Sequence, residues 1–145
     1  MNTKKDCGST LMQERGTIQK IISDSIGWAQ TKDLNRLFSI MAHDDDFFIF
    51  HPDSKSTVYG FEKFKGMSDF WMNPNFKATD FAIKELKITF SQSETVAWWS
   101  AYLDDHAEWK GKPIGWDNAR WTGVIEKRDG DWVIVQMHFS FAKDT

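Results

Sequence analysis

The chain has 145 residues, a length suited to one domain that buries roughly two thirds of the surface its unfolded form exposes. Its 18 basic and 21 acidic side chains leave a formal charge of -3, which supplies no electrostatic footprint for nucleic acid. The one cysteine, Cys7, excludes a disulfide framework and a cysteine-based metal cluster, and this usage fits a reducing cytoplasm.

Met1 to Thr10 carries lysines with no apolar run after them, so it is expected to be a flexible leader to a single domain over residues 11–145. It fits neither a secretory signal nor a membrane span. Cys7-Gly8-Ser9 has a second reading as the scar of a lipoprotein whose hydrophobic segment has been removed. From Leu11 to Gln30, Ile18, Ile21, Ile22, Ser25, Ile26 and Ala29 recur at helical spacing and predict an amphipathic helix. Thr31-Lys32-Asp33 predicts a break with Thr31 as cap, and Leu34, Leu37, Phe38 and Met41 mark a short second helix packed back on the first.

Beyond His43-Asp44-Asp45-Asp46, the run Phe47-Phe48-Ile49-Phe50-His51 predicts a buried strand, and Thr57-Val58-Tyr59-Gly60 a short strand paired back on it. Phe61 to Met72 is expected to be helical, ended by Asn73-Pro74-Asn75. Four alternating segments follow, at about Lys77–Ser91, Thr95–Trp109, Gly115–Lys127 and Asp131–Phe141, the last two joined at Asp129-Gly130, whose residues tolerate the positive dihedrals of a tight hairpin. Helices segregated from an antiparallel meander make the class α+β, with three N-terminal helices packed on a strongly curved, mainly antiparallel sheet. Eight Trp and twelve Phe bring the aromatic share to 15%, a surplus suited to a pocket or an interface.

Taken together, Ala42-His43-Asp44-Asp45, His51-Pro52, Gly60 opening a helix, Arg120-x-Thr122-x-Val124 and Asp129-Gly130-x-Trp132-x-Ile134-Val135-x-x-His138-x-Ser140 resemble the nuclear transport factor 2-like superfamily. Within it they are most similar to the SnoaL-like, ketosteroid-isomerase-related group. The resemblance covers about Gln13 to Ala142 and implies a cone-shaped fold; it says little of function, because this cone serves isomerases, cyclases, dehydratases, association domains and simple pockets. The steroid isomerase branch places its base in an Asp-Pro pair where this chain has His51-Pro52. Its two oxyanion donors, a Tyr on the first helix and a protonated Asp on a later strand, fall near Ser25 and Trp121 and are missing here, so steroid isomerase chemistry is not implied.

His51 is the leading catalytic candidate, since imidazole exchanges a proton near neutral pH; the plainer alternative is a turn histidine bonded to backbone. Asp44, Asp45 and Asp46 suggest a metal cluster but are expected to be a solvated loop, one of them capping local amides, because adjacent side chains of an extended backbone diverge. Along Val96–Asp104, Trp98, Ser100, Tyr102 and Asp104 are assigned to the cavity, with Asp104 as acid or base beside His51; the inverted register would present Trp99 instead. Trp28, Phe64, Trp71, Trp121, Met137 and Phe139 complete the expected ligand wall, simple core packing being their alternative. The last strand is apolar on both faces, which argues for a homodimer. The resemblance puts that interface on the outer sheet face, at Arg120, Thr122, Val124, Ile134, Gln136 and His138. The expected protein is therefore a cytoplasmic homodimer that binds a small apolar or aromatic molecule, with no metal, cofactor, nucleic acid or membrane. If it is an enzyme, it is an isomerase, cyclase or dehydratase; if not, it is a binding or association module. A metal-dependent hydroxylase subunit is the weaker third reading.

Overall fold

Helix α1 (Thr3–Thr31) starts N-terminal to the predicted Leu11, but the stripe that docks on the sheet begins at Ile18 and continues through Ile21, Ile22, Ser25 and Trp28, all buried. The structure, a computed structural model, describes residues 3–144, with the backbone alone over residues 3–9; the Cys7 side chain and the leader's expected mobility lie outside what it describes. Helix α2 (Leu34–Ser39) is capped by Asp33, whose carboxylate accepts from the Arg36 amide at 3.1 Å. The predicted cap, Thr31, instead donates its hydroxyl back to the Trp28 carbonyl. Arg36 then bonds Asp24 at 2.7 Å and ties α2 to α1.

The carboxylate of Asp44 accepts from the amides of Asp46 and Phe47 and pairs with Arg128 at 2.6 Å, turning the chain into β1 (Phe48–Phe50). Strand β2 (Val58–Tyr59) folds back on β1. The single helix predicted over Phe61–Met72 is two, α3 (Phe61–Lys65) and α4 (Ser68–Met72), parted at Gly66, a residue that weakens helix interiors. The break lets Phe61 and Phe64 enter the core while Phe70 remains 47% exposed.

Strands β3 (Phe76–Phe90), β4 (Val96–Trp109), β5 (Lys112–Arg128) and β6 (Asp131–Ser140) form the antiparallel meander, and β1 pairs parallel to β6. The result is a six-stranded curved sheet in the order β2-β1-β6-β5-β4-β3. The β5–β6 turn holds Asp129 and Gly130 at φ 50° and 87°, as a primed hairpin turn requires. Extra residues interrupt the pairing of β3 with β4 at two places, of β4 with β5 between Leu103 and Asp105, and of β5 with β6 between Val124 and Ile125. Each such bulge bends and twists the sheet, and each reverses which residues face inward beyond it.

Trp99 and Trp121 meet edge to face at 5.6 Å in the middle of the core, and Trp121 stacks on Phe139. Gly123 is what lets the Trp99 indole lie flat against β5, because a Cβ there would collide with the ring. The indole N–H groups of Trp99, Trp121 and Trp132 are enclosed without an acceptor among the described residues, so burial of ring area outweighs the expected need for a hydrogen-bond partner.

Candidate functional site

The helices close one face of the curved sheet and leave a cavity of about 430 Å³ between α1, α4 and the sheet. Its apolar wall includes Trp28, Phe64 and Trp71, with Trp71 meeting both of the others edge to face at 5.1 Å. Met137 and Phe139 from β6 and Trp116 from β5 line it from the sheet. Of the expected ligand wall, Trp28, Phe64, Trp71, Met137 and Phe139 thus come together.

Three expected members do not. Trp121 is fully enclosed behind Phe139 and contributes to the core rather than the cavity surface. Trp98 and Tyr102 are 46% and 42% exposed on the outer face, since Trp99, Ala101 and Leu103 are the buried side of β4. The inverted register is the correct one, and the physical reason is visible in the residues. The large and small apolar side chains of the odd-numbered set fill a core, whereas Trp98, Ser100 and Tyr102 mix polar groups suited to a surface.

The same inversion removes Asp104 from the site and puts Asp105 in it. On the outer side, Asp104 accepts from the Asn118 amide at 2.8 Å and from the Lys84 ammonium at 3.1 Å. These contacts hold its carboxyl below the usual range, and they clamp the β5 bulge, where Asn118 takes a left-handed φ of 55°. Because Leu103 faces Ala119 while Asp105 faces Trp116, β5 carries one residue more than β4 across this stretch. That extra residue turns Trp116 into the cavity. Gly115 beside it has φ 129°, and any Cβ there would strike the Asp105 carbonyl, so β5 can approach β4 only with glycine at this point.

Asp105 faces the cavity without a hydrogen-bond partner of its own among the described residues, and burial pushes its pKa up to about 6, with His106 opposing the rise. His51 lies in the same cavity at the end of β1, its ring stacked on Phe139 at 5.5 Å and 6.2 Å from Trp116. Its Nδ1 is 2.7 Å from the Ser56 carbonyl oxygen, which can only accept. The proton therefore sits on Nδ1, and Nε2 keeps its lone pair. Burial holds the His51 pKa below its ordinary 6.5 against the Ser56 bond and nearby Asp53, so the ring is neutral at physiological pH. Ser25, buried on α1, lines the cavity too, its hydroxyl donating to the Ile22 carbonyl at 2.7 Å.

The outer sheet face carries ladders in which Trp98 opposes Val124 and Val124 opposes Gln136, and Ser100 opposes Thr122 and Thr122 opposes His138. Arg120, Thr122 and His138 are exposed there, and Val124 and Gln136 half-buried. Ile134 is not among them. The β6 bulge at Val135 sends Ile134 to the inner face with Met137 and Phe139, where it is fully buried. His106 lies on the outside as well, bridging Asp80 at 2.8 Å and Asp117 at 2.7 Å, and those two carboxylates raise its pKa. No cluster of three metal-ligating side chains occurs among the described residues, and no helix among them is long and apolar enough to cross a membrane.

The SnoaL-like domain family matches residues 18–144. In structure the chain is similar to a candidate scytalone dehydratase from Novosphingobium aromaticivorans, with a TM-score of 0.75, 15% identity, and coverage of 91% of this chain and 86% of that one. A nuclear transport factor 2-like protein with a cystatin-like fold from the same organism gives 0.76 at 12% identity, covering 100% and 92%. The association domain of the C. elegans calcium/calmodulin-dependent kinase II gives 0.67 at 14%, covering 91% and 98%. At such identities the likeness is one of fold alone. No protein of curated function matches the chain in sequence.

Proposed function

The chain belongs to the SnoaL-like domain family, and from that premise we propose that it binds a small, largely aromatic carbonyl compound inside the cone and moves a proton on it. The observation that carries this reading is His51, a buried, neutral imidazole whose Nδ1–H is tied to Ser56 and whose Nε2 lone pair is left to act in an aromatic cavity. An isomerase, cyclase or dehydratase step at a carbon beside the carbonyl fits such a base and draws on no metal or organic cofactor. Asp105, rather than Asp104, is the second polar group of the site and accepts from a hydroxyl or amino group of the substrate.

The exposed aromatic face of the sheet supports a homodimer, or association with a further partner, as the second activity of the fold. Trp98, Tyr102 and Tyr59 are 46%, 42% and 63% exposed on or beside it, more apolar ring surface than an isolated subunit gains from. Sedimentation velocity should find a dimer that Thr122→Arg converts to monomer; a native monomer would end this assignment.

A thermal-shift screen with aromatic ketones, polyketide-like hydroxyketones and steroids tests the pocket. At a hundredfold excess over Kd, a ligand adds about 2.7 kcal/mol to stability. Binding that Trp71→Ala abolishes supports the cavity; no shift with any compound, or a shift that Trp71→Ala leaves intact, favours a plain association module.

A further inference from the structure

Apart from the indole N–H groups of Trp28, Trp71 and Trp116, the polar side-chain atoms on the cavity wall are acceptors. His51 has its only proton on the Ser56 carbonyl, leaving Nε2 as a lone pair. Ser25 has given its proton to Ile22. Asp105 presents a carboxylate, and only the Ser56 hydroxyl can turn either way. No lysine or arginine lines the cavity among the described residues. Lys32, which comes within 5.8 Å of the Phe76 ring at the wall, donates to the Asn73 carbonyl at 2.9 Å. His106, next to Asp105 in sequence, is held on the outside by Asp80 and Asp117.

A carboxylate drawn into apolar surroundings without a counter-charge is unstable unless a cation or a proton joins it. The surrounding rings, Trp28, Phe64, Trp71, Trp116 and Phe139, carry electron-rich π faces that attract a cation and repel an anion. We infer that the guest of this cavity brings hydrogen-bond donors and positive charge: it is an aryl-bearing ammonium, its N–H groups on Asp105 and its ring among the tryptophans. This rests on the cavity being the ligand site, and it narrows the carbonyl substrate to one that also carries a basic nitrogen. Carboxylates, phosphates and their conjugates are excluded, because each would face Asp105 and a neutral imidazole with no cation to receive it.

Three probes on one ring test this: 2-naphthylmethylamine, 2-naphthylmethanol and 2-naphthoate, titrated calorimetrically at pH 7.5 into the intact protein and into Asp105→Asn. The amine should bind about tenfold tighter than the alcohol, because it alone adds a positive charge to the hydrogen bond that both donate to the carboxylate, with naphthoate weakest. Asp105→Asn should weaken both ligands and abolish the preference, bringing amine and alcohol to within about threefold of each other. Folding of the variant is checked by its melting curve. Equal affinities for amine and alcohol, naphthoate as the best ligand, or an amine preference that survives Asp105→Asn would each overturn the inference. Binding of the alcohol without preference for the amine sinks the ammonium and leaves the proposed function standing, whereas binding of none of the three sinks both.

Discussion

Replacing Asp105 by asparagine is expected to make the protein more stable while weakening what it does. The carboxyl has a folded-state pKa of about 6 against an ordinary 3.8, because burial disfavours its charged form. For a carboxyl raised in this way the sign runs opposite to the usual salt-bridged aspartate. Below about pH 3.8 both states are protonated and nothing is lost; between 3.8 and 6 the unfolded chain releases its proton first and stability falls; above 6 the penalty is complete. A shift of this size corresponds to at most about 3 kcal/mol. An asparagine of the same shape removes it, so the variant should melt roughly 5–10 °C higher at pH 8 and at the same temperature as the parent at pH 3.5. Melting curves at the two pH values decide the matter. An equal gain at both would locate the effect in packing rather than charge, and no gain at pH 8 would mean that Asp105 is well solvated. The gain in stability together with a loss of ligand binding would mark Asp105 as a residue retained for function.

The order of helices and strands was legible because hydrophobic period and turn chemistry are local. Ile18, Ile22 and Trp28 recur at the helical interval, and Asp129-Gly130 can close a hairpin whatever surrounds it. The aromatic side of the cavity was legible too, since Trp28, Phe64 and Trp71 share helix faces that must be covered. What failed was the assumption that one period-two pattern holds along a whole strand. Val135 lies between Ile134 and Gln136 as an extra residue, so a face argued from Trp132 to Ser140 changes sides midway, and Ile134 moves from the expected interface to the core. The bulge at Asn118 did the same for Trp116, which no inward pattern counted from Trp121 could reach. Asp117-Asn118 after Gly115, residue types that accept left-handed backbone, was the available signal. The Asp104 assignment erred differently, through the choice of face. Two adjacent aspartates on one strand point to opposite sides, and the core-like set Trp99, Ala101 and Leu103 identifies Asp105 as the inward one.

His51→Ala is expected to lower turnover of any substrate found by about 10²–10⁴-fold, the range that a positioned general base contributes. The fold should survive, because the variant loses a ring stacked on Phe139 and one hydrogen bond to the Ser56 carbonyl, and His51 stands at the edge of β1 rather than within the Trp99–Trp121 core. The pH profile separates a base from a binding group. Only the neutral imidazole can take a proton, and burial sets its pKa below 6.5, so kcat/KM in the parent should fall on the acid side through a pKa under that value. Asp105, at about 6, titrates close by, and the profile of Asp105→Asn distinguishes the two groups: the acid limb must persist there if His51 is its source. His51→Gln supplies a further control, since its amide can donate to Ser56 but cannot accept a proton at any working pH. A Gln variant with parental turnover would remove the catalytic role from His51 and leave it as a turn histidine; one that binds ligand normally while turnover collapses would fix the imidazole Nε2 as the proton acceptor.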